Sequence, residues 1–218
     1  HTLSIHNMLA HMFFKGIGLN PGYAGQKGVD VEFEVVPPVK MPEFIAENQD
    51  SSGYLVAEPL GTKAIAAGNA ELQFLSSELW EDHPCCVVTV QEELIEKFPD
   101  AVYELTDLLV KAGKFISQKP AMAAEIAVDF LDPQKSLGLK VPLLKNVLTE
   151  PKGIRTDNLY PTKEDLDKIQ KYMHNVMGVG NLINLDSFVD LRFAERACDA
   201  KAKSSKSHFI ENVSVKAI

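Results

Sequence analysis

The chain has 218 residues, 45% of them hydrophobic and 24% charged, which is enough for one large domain or two small ones with apolar cores. Its 30 acidic side chains outnumber 22 basic ones for a net charge of -8, and no predicted face gathers the Lys and Arg that phosphate neutralisation needs, which argues against a nucleic-acid partner. No run approaches the ~20 apolar residues of a membrane span, no basic segment leads into an apolar one at the start, and the three cysteines, Cys85, Cys86 and Cys198, make no disulfide framework.

In chain order, Ser4 reads as an N-cap for a helix whose apolar face is Ile5, Met8, Leu9, Met12 and Phe13, ending at Lys15-Gly16-Ile17-Gly18. His6 lies in its first turn. The Gly, Pro and Asn-rich stretch to Gly28 reads as loop, and the alternation from Asp30 to Val36 as a half-exposed strand stopped by Pro37-Pro38. A short helix over Met41 to Asn48 follows. Then comes the stretch around which the rest is arranged, Gly53-Tyr54-Leu55-Val56-Ala57-Glu58-Pro59: β-formers break at Glu58-Pro59 into the Ala-rich helix Thr62 to Ala67. Such a strand-to-helix junction, in an open α/β sheet, is where small ligands bind. Gly68-Asn69 caps that helix, and Leu72 to Leu75 reads as another strand.

The pattern changes at residues 83 to 90. His83-Pro84-Cys85-Cys86 leads into the β-branched run Val87 to Val90, a crossover from an α/β lobe into a helical remainder with helices over Gln91 to Phe98, Pro99 to Gln118 and Pro120 to Leu131. A further helix from Tyr160 to Val176 carries Pro161, a Thr162 N-cap and Asp165 three residues on, a variant of the capping box. The Lys and Ser-rich residues 203–218 read as a solvated tail. The chain thus divides into residues 1–85, 86–202 and 203–218.

The ordered set Ser4-Ile5-His6-Asn7, Val36-Pro37-Pro38 with Met41-Pro42, Val56-Ala57-Glu58-Pro59, Asp82-His83-Pro84, Pro99-Asp100-Ala101-Val102 and Asp186-Ser187-Phe188-Val189-Asp190 resembles the nitrate/sulfonate/bicarbonate/taurine substrate-binding proteins of ABC transporters, a group that includes thiamine-precursor binders. The resemblance implies an α/β fold of the type II periplasmic-binding-protein kind. Residues 1–85 would be its second lobe, 86–202 the crossover strand and C-terminal helices of its first. It also implies a segment ahead of Ser4 that forms most of the first lobe's sheet, or else a homodimer or another chain that covers the open face. The implied activity is capture of a small solute in an interlobe cleft on the periplasmic or extracellular side, delivery to a transporter permease, and membrane attachment only through a lipid anchor outside this chain. Neither a cofactor nor a metal is expected.

Residue by residue, the resemblance places Ser4, His6, Ala57, Glu58, His83 and Cys86 at the ligand. His6 matches an anion-contacting histidine, Ala57 a glycine whose N–H contacts the anion, and Cys86 falls where nitrate binders place a lysine, so a small strong anion is not the expected ligand. Each residue has a plainer alternative. Ser4 is a helix cap, His6 a partly buried histidine, Glu58 a balance for a helix N-terminus, His83 a loop residue, and Cys85 and Cys86 small hydrophobes. Two other functions stay open: an enzyme resembling the thiamine-pyrimidine synthases with a cysteine-based metal site, and an interaction module without a small ligand.

Overall fold

The computed structural model describes residues 1–199 and the backbone of residues 208 and 209. The fold is mixed α/β, dominated by helix, with one small parallel sheet. The chain divides into two compact units, one built from residues 1–81 and 169–182 with 208–209, the other from 82–168 and 183–199.

In the first unit, helix α1 (Ile5–Gly16) forms where the apolar spacing places it. Its N-cap is Ser4, whose Oγ accepts from the Asn7 N–H at 3.2 Å, satisfying one of the orphan donors of the first turn. Ile5, Met8 and Leu9 are buried against Leu79, Trp80 and Met173, with Met12, Phe13, Leu55, Phe74, Ile169 and Tyr172 packed around them. Trp80, Met8 and Leu9 are the largest fully buried side chains, so the unit is centred on one face of α1.

Strands β1 (Pro21–Tyr23) and β2 (Val31–Phe33) pair in parallel, Pro21 opposite Val31. β1 falls inside the stretch expected to be loop. Polar clamps hold it rather than a hydrophobic run: the Asn20 N–H donates to Asp30 at 2.8 Å, Asn20 Nδ2 donates to the Gly28 carbonyl, and the Tyr23 N–H donates to Gln26 Oε1 at 2.8 Å. Helices α2 (Met41–Glu47) and α3 (Leu60–Ala66) stand where expected, and Gly68, at φ +74, closes α3 with its N–H on the Ile65 carbonyl.

The strands expected at Tyr54–Ala57, Leu72–Leu75 and Val87–Val90 are not hydrogen-bonded strands. The parallel sheet of the first unit is therefore β1 and β2 alone. The β-forming side chains at 54 to 56 are half-buried and Leu55 joins the core, so they pack, but a ladder also needs a neighbour in register, and Pro59 next to the run lacks an N–H. Instead β3 (Trp80–Glu81) pairs antiparallel with β4 (His208–Phe209), two residues that the Lys and Ser-rich composition marked as tail. The tail's other residues, including Val213 to Val215, once expected to pair with Val87 to Val90, lie outside the described residues.

The second unit is helical throughout its described residues: α4 (Glu92–Lys97), α5 (Pro99–Gln118), α6 (Pro120–Leu131), α7 (Val141–Thr149), α8 (Lys163–Asn175, whose later residues belong to the first unit), α9 (Leu185–Phe188) and α10 (Arg192–Ala197). α5 and α6 each open on a proline at the first helical position, as expected. The capping box at α8 is also present, with the Asp165 N–H donating to Thr162 Oγ1 at 3.4 Å and the Thr162 hydroxyl donating back to the Asp165 carboxylate. α7 was not anticipated. α6 packs on α7 and α5 on α10, where the Tyr103 and Phe193 rings meet at 4.6 Å and Arg196 lies over Tyr103. Gly113 lets the 156–159 loop close on α5: a Cβ there would stand 2.2 Å from the Thr156 carbonyl oxygen.

Candidate functional site

Ser4, His6, Ala57 and Glu58 lie in the first unit, and His83 and Cys86 in the second. Ser4 is engaged as a cap and His6 is half-buried in the first turn of α1. Ala57 is exposed at the end of an extended stretch, and Glu58 turns its carboxylate onto α3, where Oε2 accepts from the Thr62 N–H at 3.1 Å. The carboxylate thus balances the first turn of α3, as one of its two readings held. Tyr54, four residues earlier, has its hydroxyl covered by protein with no hydrogen-bond partner among the described residues. Burial first, then the charge of Glu58, push the phenol's pKa up.

In the second unit, His83 is half-buried with Nδ1 3.4 Å from the Pro84 carbonyl oxygen. Burial lowers its pKa, against the opposing pull of that carbonyl and of Asp82. Cys85 and Cys86 are exposed, their sulfurs 3.9 Å apart, and burial of its sulfur together with Cys86 pushes the Cys85 thiol up to about 11. A thiol held protonated at neutral pH is a poor nucleophile and a poor ligand, which weighs against the cysteine-based enzyme. Among the described residues no group of three or more His, Cys, Asp or Glu is placed to hold a metal ion. Cys198 is buried beside Val110, the small-hydrophobe role.

Three polar features escaped the sequence reading. His11, buried on α1, has Nδ1 3.0 Å from the Tyr172 hydroxyl, and the rings meet edge to face. Burial and then Lys15 lower the His11 pKa, while burial raises that of Tyr172 to about 12. The signal was present, since position 11 borders the Met8, Leu9 and Met12 face. Asp132, just past α6, accepts the Leu137 and Leu139 N–H groups, each at 2.9 Å, and curls residues 132–139 around its carboxylate. Burial opposes the charge there, but four backbone N–H groups, of Leu137, Leu139, Gly138 and Ser136, outweigh it and hold the carboxyl below its usual range. A small hollow of about 150 Å³ lies in the second unit among Ile116, Leu148, Glu150, Arg155 and Asp157; Arg155 is already paired with Asp82 and Asp157.

No helix among the described residues is long and apolar enough to cross a membrane. The bicarbonate transport ATP-binding protein CmpC of Synechocystis sp. is 27% identical over 112 residues, 51% of this chain and 16% of that protein, and CmpC of Synechococcus elongatus is 26% identical over 120 residues, 53% and 16%. The nitrate/nitrite binding protein NrtA of Nostoc sp. is 24% identical over 112 residues, 50% of this chain and 23% of that protein. The chain therefore spans less than a quarter of the length of each of these relatives. No solved structure matches it. Residues 1–129, which include Ser4, His6, Ala57, Glu58, His83 and Cys86, match the NMT1-like family, and the resemblance read from the motifs is borne out: this chain belongs to the NMT1-like family.

Proposed function

We propose that this chain is the solute-binding part of an ABC import system, acting outside the cytoplasm, with the type II periplasmic-binding-protein arrangement and a transporter permease as its partner. Membership of the NMT1-like family across residues 1–129 is the observation that supports this most. The names of CmpC and NrtA, one a transport component and one a binding protein, point the same way. Ser4, His6, Ala57, Glu58, His83 and Cys86 are the proposed solute contacts. Residues 1–85 are read as the second lobe, and 86–202 as the part that completes the first. In that second part Val87, Val88, Leu94, Phe98, Leu108 and Phe130 expose apolar surface, which we assign to packing against the rest of the first lobe or against a second copy.

The chemistry of the proposed contacts favours one class of solute. They hold an imidazole at His6 and a carboxylate at Glu58 that forms no ion pair with a described residue, and none of the six is Lys or Arg. A small strong anion meets the Glu58 charge, whereas an amine-bearing or aromatic solute supplies it a donor. The test is a thermal-shift screen of the complete protein against anions, sulfonates, amino acids and pyrimidines, since a ligand at a hundred times its Kd adds about 2.7 kcal/mol. Amine-bearing or heteroaromatic solutes raise the midpoint and nitrate does not. Tight nitrate binding that persists unchanged in Glu58→Gln overturns the assignment.

A further inference from the structure

Glu58 has a neighbour that its assignment as a solute contact does not use. The Tyr54 hydroxyl is covered by protein and has no hydrogen-bond partner among the described residues. The Glu58 carboxylate is near enough to act on the phenol's charge, yet the two do not bond to each other. Glu58 commits Oε2 to the Thr62 N–H, and its Oε1 accepts nothing from the described residues. A donor without an acceptor therefore stands beside an acceptor without a donor.

That arrangement needs a reason. A phenol free to choose donates to a nearby carboxylate, because a charge-assisted O–H···O bond is shorter and stronger than a neutral one, and buried hydroxyls left unpaired are rare. Gly61 keeps the Oε1 side clear, since a Cβ there would stand 3.3 Å from Glu58 Oε1 and 3.8 Å from Val56 Cγ1. The stretch 51–57 that carries Tyr54 belongs to no strand ladder, so the phenol can turn without breaking sheet pairing.

We propose that Tyr54 and Glu58 form a donor–acceptor pair that grips one edge of the solute and selects an edge on which a hydrogen-bond acceptor sits beside an N–H or O–H donor. Tyr54 has this role only if the chain binds a solute at Glu58 as proposed above. A carboxamide, or a ring nitrogen with an adjacent amino group, meets both atoms at once. Nitrate offers acceptors alone and leaves Glu58 opposed.

Calorimetric titration of the full chain at neutral pH with 2-aminopyrimidine, pyrimidine and nitrate tests this in wild type, Tyr54→Phe and Glu58→Gln. The amino compound binds wild type and loses about tenfold in affinity in each variant, about 1.4 kcal/mol, while pyrimidine, which lacks the donor, binds all three proteins alike and more weakly. Unliganded Tyr54→Phe melts at or above wild type, because the substitution removes a covered hydroxyl that nothing satisfies. Melting well below wild type, or equal affinity of wild type and Tyr54→Phe for 2-aminopyrimidine, overturns the role of Tyr54 and leaves solute binding standing. Binding of anions alone overturns the selectivity of the pair. If no solute in the screen binds wild type, the solute-binding reading falls and the pair falls with it.

Discussion

His11 is a buried histidine whose hydrogen-bond partner comes from far along the chain. Tyr172 faces it from α8 and Lys15 from its own helix, and its pKa lies below the ordinary value because burial, and then Lys15, disfavour the charged ring. The unfolded chain therefore takes up this proton first, near pH 6.5. Stability from this site is complete above that value and falls as the pH drops from about 6.5 to the lowered pKa of the folded state. Denaturant midpoints measured between about pH 7.5 and 5.5 should fall with acidification, with a shallower slope in His11→Asn than in wild type. Tyr172→Phe should cost about 0.5–1.5 kcal/mol at neutral pH, the worth of one hydrogen bond. Asp132 works at the other end of the scale. Its depressed pKa makes its contribution complete above the ordinary carboxylate value and lost as pH falls through the depressed one. Asp132→Asn should remove that acid limb and loosen residues 132–139, seen as faster amide exchange at Leu137 and Leu139.

Helix ends decide much of the local stability, and two of them can be measured. Ser4 caps α1 and Thr162 caps α8, so Ser4→Ala and Thr162→Ala should each cost about 1 kcal/mol in denaturant unfolding. Ser4→Ala separates two roles at once: loss of stability with unchanged solute affinity marks a cap alone. α5 depends on a different device. Gly113 brings the Thr156 carbonyl where a side chain would stand, so Gly113→Ala should cost about 1–3 kcal/mol by overpacking despite the better helix propensity of Ala.

Across the second unit, Phe130 is 81% exposed, Val88 65% and Phe98 58%, with Leu105, Leu108, Met122 and Ile126 also open. Scattered apolar side chains at a surface are ordinary, but α5 and α6 each present several at helical spacing, the pattern of a buried helix face. The isolated chain should therefore gain mass with concentration in light scattering. Ile126→Ser with Phe130→Ser should lower that mass and leave the far-ultraviolet dichroism unchanged. A chain that stays monomeric at every concentration would sink the assignment of this surface to packing.

The sequence by itself determined the helices and their ends. The Ser4 cap, the prolines opening α5 and α6, the Thr162–Asp165 pair and the apolar face of α1 are local rules, read within a few residues, and each stands where its spacing placed it. Family membership was legible for a similar reason, since short motifs in order survive without knowledge of any contact. The strands were decided by the tertiary structure. A β-forming run such as Tyr54 to Ala57 states that it can pack but not that a neighbour lies in register, whereas β1 and β4 pair with no strong run of their own. Polar contacts across long separations were equally out of reach: His11 meets Tyr172 161 positions away, and Tyr54 stands near Glu58 without bonding to it, because only the folded chain sets which donor reaches which acceptor.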